Sequence, residues 1–350
     1  MTASHVPRTL LITGVAGMLG SHIARQAIRR GYRVRGLDVV GDPLSLRELD
    51  VHYVRGDVRS DAALEELMAG IDPAGAVLVH AASIISIRSR PDPTMWSTNV
   101  GGTAAVLRAC TRHRVTRTVY VSSCHAVPEV PRGQWMTEVD DYDPDLVAGG
   151  YAKTKATASR LVLQANGADL QAVIVNPCGM VGPVDFGTGP GVSVVRMIAQ
   201  GIPAVPTGGS PYIDVRDAAT GVLAAAEVGR AGESYLLSER SVSMREVADV
   251  VCSELGTRPP RFDVPAWVLA PVGVLVEWSS VRRGVEPLIT PYAARTLCND
   301  VQINSDKAIR ELGLRPGDAL EAFAETTRWL RDNDLLAGPP RTVVAGHGSG

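Results

Sequence analysis

The chain has 350 residues, 45% hydrophobic and 21% charged, enough for one large or two fused units with a sizeable core. A formal net charge of −2 offers no basic face to nucleic acid and no support for binding an anionic membrane. Its five cysteines, Cys110, Cys124, Cys178, Cys252 and Cys298, are scattered and never spaced C-x-x-C. That argues against a disulfide framework or a zinc site and for a reducing, cytoplasmic setting. The first ten residues, MTASHVPRTL, lack the charged and apolar regions of a signal peptide.

In chain order, short apolar runs at 10–13, 34–38, 52–54, 77–80, 118–122 and 172–176 predict buried strands. Helical stretches at 18–30, 62–68, 93–113 and 152–164 fall between them. Strands alternating with helices predict βαβ units and a Rossmann-type, doubly wound parallel α/β sheet. The later half is punctuated by Gly and Pro over 177–211, with helices expected at 244–255, 268–278, 305–312 and 320–332. The apolar run 264–278 contains Pro265, Pro271 and Glu277 and is too short for a bilayer, so no stable membrane insertion is expected. These patterns divide the chain into a nucleotide-binding domain at 8–180 with a return segment at 210–238, and a smaller helical substrate domain at 181–209 and 239–335. A disordered tail is expected at 337–350.

The first chemical signal is Gly14-Val15-Ala16-Gly17-Met18-Leu19-Gly20, between the first strand and the first helix. Gly14 permits a tight turn, Gly17 a close approach of pyrophosphate, and Gly20 close packing of helix on strand. Asp38 ends the second strand, where a carboxylate accepts both ribose hydroxyls of NAD and repels the 2′-phosphate of NADP. Val39 and Val40 follow it, so no adjacent base welcomes that phosphate. The cofactor expected is NAD rather than NADP.

The next signal is Tyr151-Ala152-Lys153-Thr154-Lys155. On a helix, i and i+4 share one face, so the phenol and the Lys155 ammonium point into one space. An ammonium there favours the phenolate and brings the phenol toward a useful proton-transfer range. Upstream, the strand containing Tyr120 ends in Ser122-Ser123-Cys124, where a hydroxyl can hold a substrate oxygen. Ser123 is preferred because a thiol donates weakly, although loop placement leaves Cys124 as an alternative. His125 reads as a pocket-lining residue.

With these motifs together the chain resembles the extended short-chain dehydrogenase/reductase family, over about residues 8–332. Within it, the dihydroflavonol-reductase-like and 3β-hydroxysteroid-dehydrogenase-like groups are most similar. The resemblance implies that Asp57 and Val58 contact adenine, that Ala81, Ala82 and Ser83 lie along the dinucleotide, and that Asn99 braces the active site. It also implies that Pro177 meets the nicotinamide and that 212–217 form a later strand-to-helix signature. It implies catalysis by Ser123, Tyr151 and Lys155, no metal, and a homodimer as in dimeric relatives. Residues 208–211, Gly-Gly-Ser-Pro, lack the arginine that nucleotide-sugar epimerases place before this strand, although Arg295 could supply part of a phosphate site. With apolar lining candidates Ile84, Ile85, Val181, Phe186, Val192 and Met197, the expectation is a dehydrogenase acting on a small hydrophobic alcohol or ketone. A nucleotide-sugar epimerase or dehydratase and a catalytically silent NAD-binding protein are the alternatives.

Overall fold

The computed structural model describes residues 9–86, 92–131, 133–186, 189–265 and 300–337, with isolated residues 268 and 271. The rest of the helix expected over 268–278, together with Arg295, Cys298 and the tail beyond residue 337, lies outside them.

Seven parallel strands form the central sheet: β1 (Thr9–Thr13), β2 (Arg33–Asp38), β3 (Val51–Arg55), β4 (Ala76–His80), β5 (Arg117–Val121), β7 (Gln171–Pro177) and β11 (Ser234–Leu237). The short strands β6 (Trp135–Met136), β8 (Gly179–Val181), β9 (Ala204–Pro206) and β10 (Gly209–Asp214) lie outside that sheet. The central order is β11-β7-β5-β4-β1-β2-β3, so the sheet reverses direction of growth between β1 and β4. That reversal opens a crevice beyond the carboxyl ends of the strands, where ligands bind in sheets of this kind. β1 is TLLIT and β4 is AVLVH, with β4 buried throughout. Alternation assigns their side chains to two cores: Leu10, Ile12, Val77 and Val79 pack in one, Leu11 and Leu78 in the other.

Helices α1 (Met18–Arg29) and α7 (Val215–Val228) contribute Ile23, Ala24, Ala27, Ala218 and Val222 to the first core. Helices α2 (Asp61–Met68) and α4 (Gly102–Arg112) contribute Leu64, Leu67, Val106 and Ala109 to the second. The helix expected over 93–113 is interrupted: α3 (Pro93–Trp96) passes through a π-helical segment, Ser97–Gly101, before α4 begins. Such segments interrupt α-helices often at functional sites, and this one carries Asn99.

A third core gathers Val192, Val195 and Ile198 of α6 (Pro190–Ala199), Val247 and Val251 of α8 (Met244–Leu255), and Phe323 and Leu330 of α10 (Ala319–Asp332). The helix α6 lies in the Gly- and Pro-rich stretch for which the sequence predicts no regular element. Pro190 stands at its first turn, where a missing N–H costs nothing. α8 matches its expected bounds because its ends are encoded locally: Ser243 and Glu246 form a capping box, and Gly256 closes it with φ 65°. α9 (Asp306–Leu312) closes similarly on Gly313.

Candidate active site

The glycine loop is built for close approach. Gly14 has φ 75°, and a Cβ there would lie 2.6 Å from the backbone nitrogen of Ala82. A Cβ on Gly20 would lie 2.1 Å from the Gly14 carbonyl oxygen, so helix α1 can sit this near the turn only with glycine. The α1 N-terminus begins after Gly17 with no side-chain cap and no acid in its first turn, which suits an anion at the N–H groups of Met18, Leu19 and Gly20. Gly20→Ala is expected to destabilise the fold by about 1–3 kcal/mol through overpacking, read as a lower Tm, and to abolish stabilisation by added NAD.

Asp38 locks onto this loop. Its Oδ2 accepts from the Ala16 N–H at 2.9 Å, and Oδ1 accepts from the Val39 and Val40 N–H groups at 2.8 and 3.4 Å. Burial raises its pKa, and those three backbone donors oppose the rise. Arg35 turns away to the carbonyls of Glu66 and Ala69 at the end of α2, so it adds no charge beside Asp38. Asp57 is engaged by Arg59 at 2.6 Å, which holds its carboxyl below the usual range. Val58 is buried beneath Gly102, where a Cβ would come within 2.7 Å of it.

A buried chain of hydroxyls and one imidazole fastens these parts together. The Thr13 hydroxyl lies 2.6 Å from His80 Nδ1, His80 Nε2 lies 3.0 Å from Thr103 Oγ1, and the Thr103 hydroxyl donates to the Asn99 carbonyl at 2.6 Å. Since Thr103 spends its proton on Asn99, His80 must donate from Nε2 and accept at Nδ1, as a neutral imidazole does. Burial, with the nearby Lys155, lowers its pKa to about 3, which keeps that form. The Ala81 N–H donates to the Thr13 carbonyl at 3.0 Å, and Ala82 presses on Gly14. The buried Asn99 side chain then bridges two elements. Its Oδ1 accepts from Ser83 and from the Ile84 N–H (3.3 and 2.8 Å), and its Nδ2 donates to the Ile84 carbonyl and to Thr154 Oγ1 (2.9 and 3.0 Å).

Thr154 in turn donates to the Tyr151 carbonyl at 2.7 Å. Helix α5 (Gly150–Ala165), which carries Tyr151 and Lys155, is entered through Gly149 with φ 92°, a conformation that favours glycine. Both side chains are buried, Tyr151 at 8% exposure and Lys155 at 2%. The Lys155 ammonium donates to the Val121 carbonyl at 2.8 Å and sits 5.0 Å over the Tyr120 ring. Burial lowers its pKa to about 7.

The serine run divides its labour. Ser122 shares a 2.7 Å hydrogen bond with Ser159 of α5 and so ties β5 to that helix. Ser123 accepts from the His125 N–H at 3.2 Å, capping the short turn Cys124–Ala126, and its hydroxyl also meets the Cys124 thiol. Cys124 and His125 line a pocket together with Val127, Met136, Val147 and Ile303, and the His125 ring meets Tyr151 edge-on at 6.4 Å. Burial pushes the Cys124 thiol up to about 12. Pro177 ends β7 in register with Leu237, and the preceding Asn176 donates to the Tyr142 hydroxyl at 2.8 Å.

The six lining candidates do not border this pocket. Val181 and Val192 are consumed by the third core, Phe186 packs edge-on against Trp329, and Ile85 is 51% exposed. Sequence proximity would have served better, since Val127, Met136 and Val147 all lie between the serine run and Tyr151. The stretch before Tyr212 is tight: a Cβ on Gly209 would lie 2.7 Å from the Val242 carbonyl. In the strand-to-helix signature, Asp214 caps α7 and pairs with Arg216, which also reaches Glu325.

A family model described as the NAD dependent epimerase/dehydratase family matches residues 10–238. A putative dihydroflavonol 4-reductase of Synechocystis sp. is 27% identical over 93% of this chain and 95% of its own length. A 2-alkyl-3-oxoalkanoate reductase of Stenotrophomonas maltophilia is 30% identical, covering 89% of this chain and 96% of its own. The crystal structure of gox2253 superimposes with a TM-score of 0.79 at 30% identity, over 94% of this chain and 99% of that one.

Proposed function

The chain belongs to the NAD dependent epimerase/dehydratase family, and on that premise we propose that it interconverts a secondary alcohol and a ketone on a small hydrophobic substrate, with Tyr151 as acid and base. It is a nicotinamide-dependent oxidoreductase, and two of its relatives are named as reductases, of a dihydroflavonol and of an alkylated oxoalkanoate. The observation that supports the reading is that Tyr151 meets His125, a lining residue of the pocket, while Asn99 joins the Tyr151 helix through Thr154 and Thr103 and His80 carry the connection to Thr13 before the glycine loop.

Bound NAD supplies the hydride acceptor or donor. Gly14, Gly17, Met18, Leu19 and Gly20 hold its phosphates, Asp38 its ribose, Asp57 and Val58 its adenine, and Ala81, Ala82, Ser83, Asn99 and Pro177 flank the remainder. The close glycine packing and the uncapped, acid-free α1 terminus fit that group. Ser123 donates to the substrate oxygen as charge collects there. Tyr151 takes the hydroxyl proton in oxidation and returns it in reduction. The Lys155 ammonium favours the phenolate and anchors the ribose. Residues 8–180 and 210–238 carry the cofactor in this reading, and 181–209 and 239–335 the substrate.

The carboxylate of Asp38, from which Arg35 turns away, supports NAD over NADP. Asp38→Ser combined with Val39→Arg is expected to move the NAD-to-NADP ratio of kcat/KM by about a hundredfold toward NADP, since two charge changes act on one phosphate. An unchanged ratio would remove Asp38 from the ribose site. The cysteines Cys110, Cys124, Cys178 and Cys252 are free, which supports a cytoplasmic setting, and a homodimer belongs to the same proposal.

The deciding experiment incubates the protein with NAD or NADP and matched panels of hydrophobic alcohols, steroids and sugar nucleotides. Net nicotinamide reduction supports the dehydrogenase. Product without net change in absorbance would instead make it an epimerase.

A further inference from the structure

Burying an ammonium strips it of water, and Lys155 replaces that water with two contacts from consecutive residues of β5. One is the Val121 carbonyl at 2.8 Å, the other the face of the Tyr120 ring, with 5.0 Å from ammonium to ring centre. Among the described residues no carboxylate pairs with it, and burial alone lowers its pKa to about 7. The titratable groups around it are neutral or engaged elsewhere. His80 of β4, whose ring lies 5.5 Å from that of Tyr120, is a neutral imidazole. Burial keeps the Tyr120 phenol protonated. In the turn Cys124–Ala126, burial does the same for the Cys124 thiol and favours the neutral ring of His125. On α5, Lys153 and Arg160 pair with Asp145 and Asp141, and on α4 Arg108 is exposed and Arg112 pairs with Glu65. Tyr151, one turn before Lys155, is the group whose ionisation the ammonium favours.

The two contacts differ in what they discriminate. A carbonyl accepts from a neutral amine too, though more weakly than from an ammonium. A ring face, negative by its quadrupole, attracts only the charged form, and more strongly where water is excluded. Tyr120 is 1% exposed, so this contact is dry. The Val121 carbonyl is backbone and is supplied by any residue. Tyr120 is therefore the side chain through which β5 biases the charge on Lys155.

We infer that Tyr120 is a positioning residue for the proton transfer: its ring face holds the Lys155 side chain in the charged form that favours the Tyr151 phenolate. The catalytic half of the inference rests on the oxidoreductase reading, and the half that joins ring to ammonium rests on geometry alone.

The test changes the ring's charge distribution at nearly constant shape. Tyr120→Phe is the reference, and trifluoro- and pentafluorophenylalanine are placed at the same position of the full chain by stop-codon suppression, since successive fluorines drain the negative face. In the cofactor-free protein each fluorinated form should melt below the reference at pH 5.5, where the folded lysine is charged. The gap should close by pH 9, where the folded lysine is neutral. A packing effect of fluorine is the same at both pH values, so the change in the gap is the readout. That change should vanish in a Lys155→Met background. In turnover, the kcat ratio of reference to pentafluoro form should grow from about one at pH 5.5 to about tenfold at pH 9, the equivalent of one pKa unit, with the trifluoro form between. A gap that does not change with pH, or whose change persists in Lys155→Met, would overturn the inference whatever the protein catalyses. A pH-dependent gap with a flat kcat ratio would overturn it too, since the charge would not then reach Tyr151. Turnover of no alcohol or ketone by the parent would count against the oxidoreductase reading, and the melting series would then decide by itself whether the Tyr120 ring holds the charge.

Discussion

Tyr151→Phe should bind NAD within about twofold of the parent and lose roughly a thousandfold in kcat, the middle of the range for a displaced general acid–base group. The two rings have the same shape, and Tyr151 is 8% exposed with its face set by the edge-on His125 ring at 6.4 Å. Removing the hydroxyl therefore keeps the ring in its packing and takes away the proton carrier. Cofactor titration followed by fluorescence measures the binding, and stopped-flow or steady-state reduction of the nicotinamide measures the turnover. His125 is the informative competitor. It lines the same pocket, and burial keeps its imidazole toward the neutral form that could accept a proton. Activity within tenfold of the parent in Tyr151→Phe would transfer the acid–base role to it. A deep loss combined with near-normal activity in His125→Phe would leave the role with the tyrosine.

What the sequence made legible follows from how local its cues are. The glycine loop, Asp38 and the Tyr151–Lys155 spacing are written within a few residues, and the strands are continuous apolar runs, so the order of residues places each of them. α8 could be bounded to the residue because a capping box and a left-handed glycine mark its ends. The π-helical segment at Ser97–Gly101 was not legible, because nothing in Ser-Thr-Asn-Val-Gly distinguishes it from ordinary helix. Its cause is tertiary: Asn99 has to reach Ile84 and Thr154 while its carbonyl receives the Thr103 hydroxyl. The edge strand β11 and the helix α6 were also missed. Both are short, and proline and glycine around them masked the period on which such readings depend. Apolar side chains on the carboxyl side of the sheet serve either the third core, as Val181 and Val192 do, or the pocket, and only packing assigns them.

Lys155→Met is expected to make the cofactor-free protein more stable at neutral pH while lowering kcat by about a thousandfold or more, through loss of the charge that supports the phenolate. The buried ammonium has a pKa lowered to about 7 from 10.5. Between those values the unfolded chain binds a proton that the folded protein does not, so stability rises with pH across this window. Below about pH 7 both states carry the ammonium and the cost of burying it is present in full, and above about 10.5 both carry the amine and the cost is gone. The slope contributed by one such proton is about 1.4 kcal/mol per pH unit. Methionine has nearly the same length and no charge, so it removes both the cost and the slope. It forfeits the Val121 hydrogen bond, worth about 1 kcal/mol, and the contact over Tyr120. Thermal unfolding at pH 6.5 and pH 9 measures the balance: the variant should melt higher than the parent at the lower pH, with the gap closing at the higher. A variant that melts lower at both would mean that Lys155 is a net structural support, and its burial could not then be read as stability given up to hold a charge beside Tyr151.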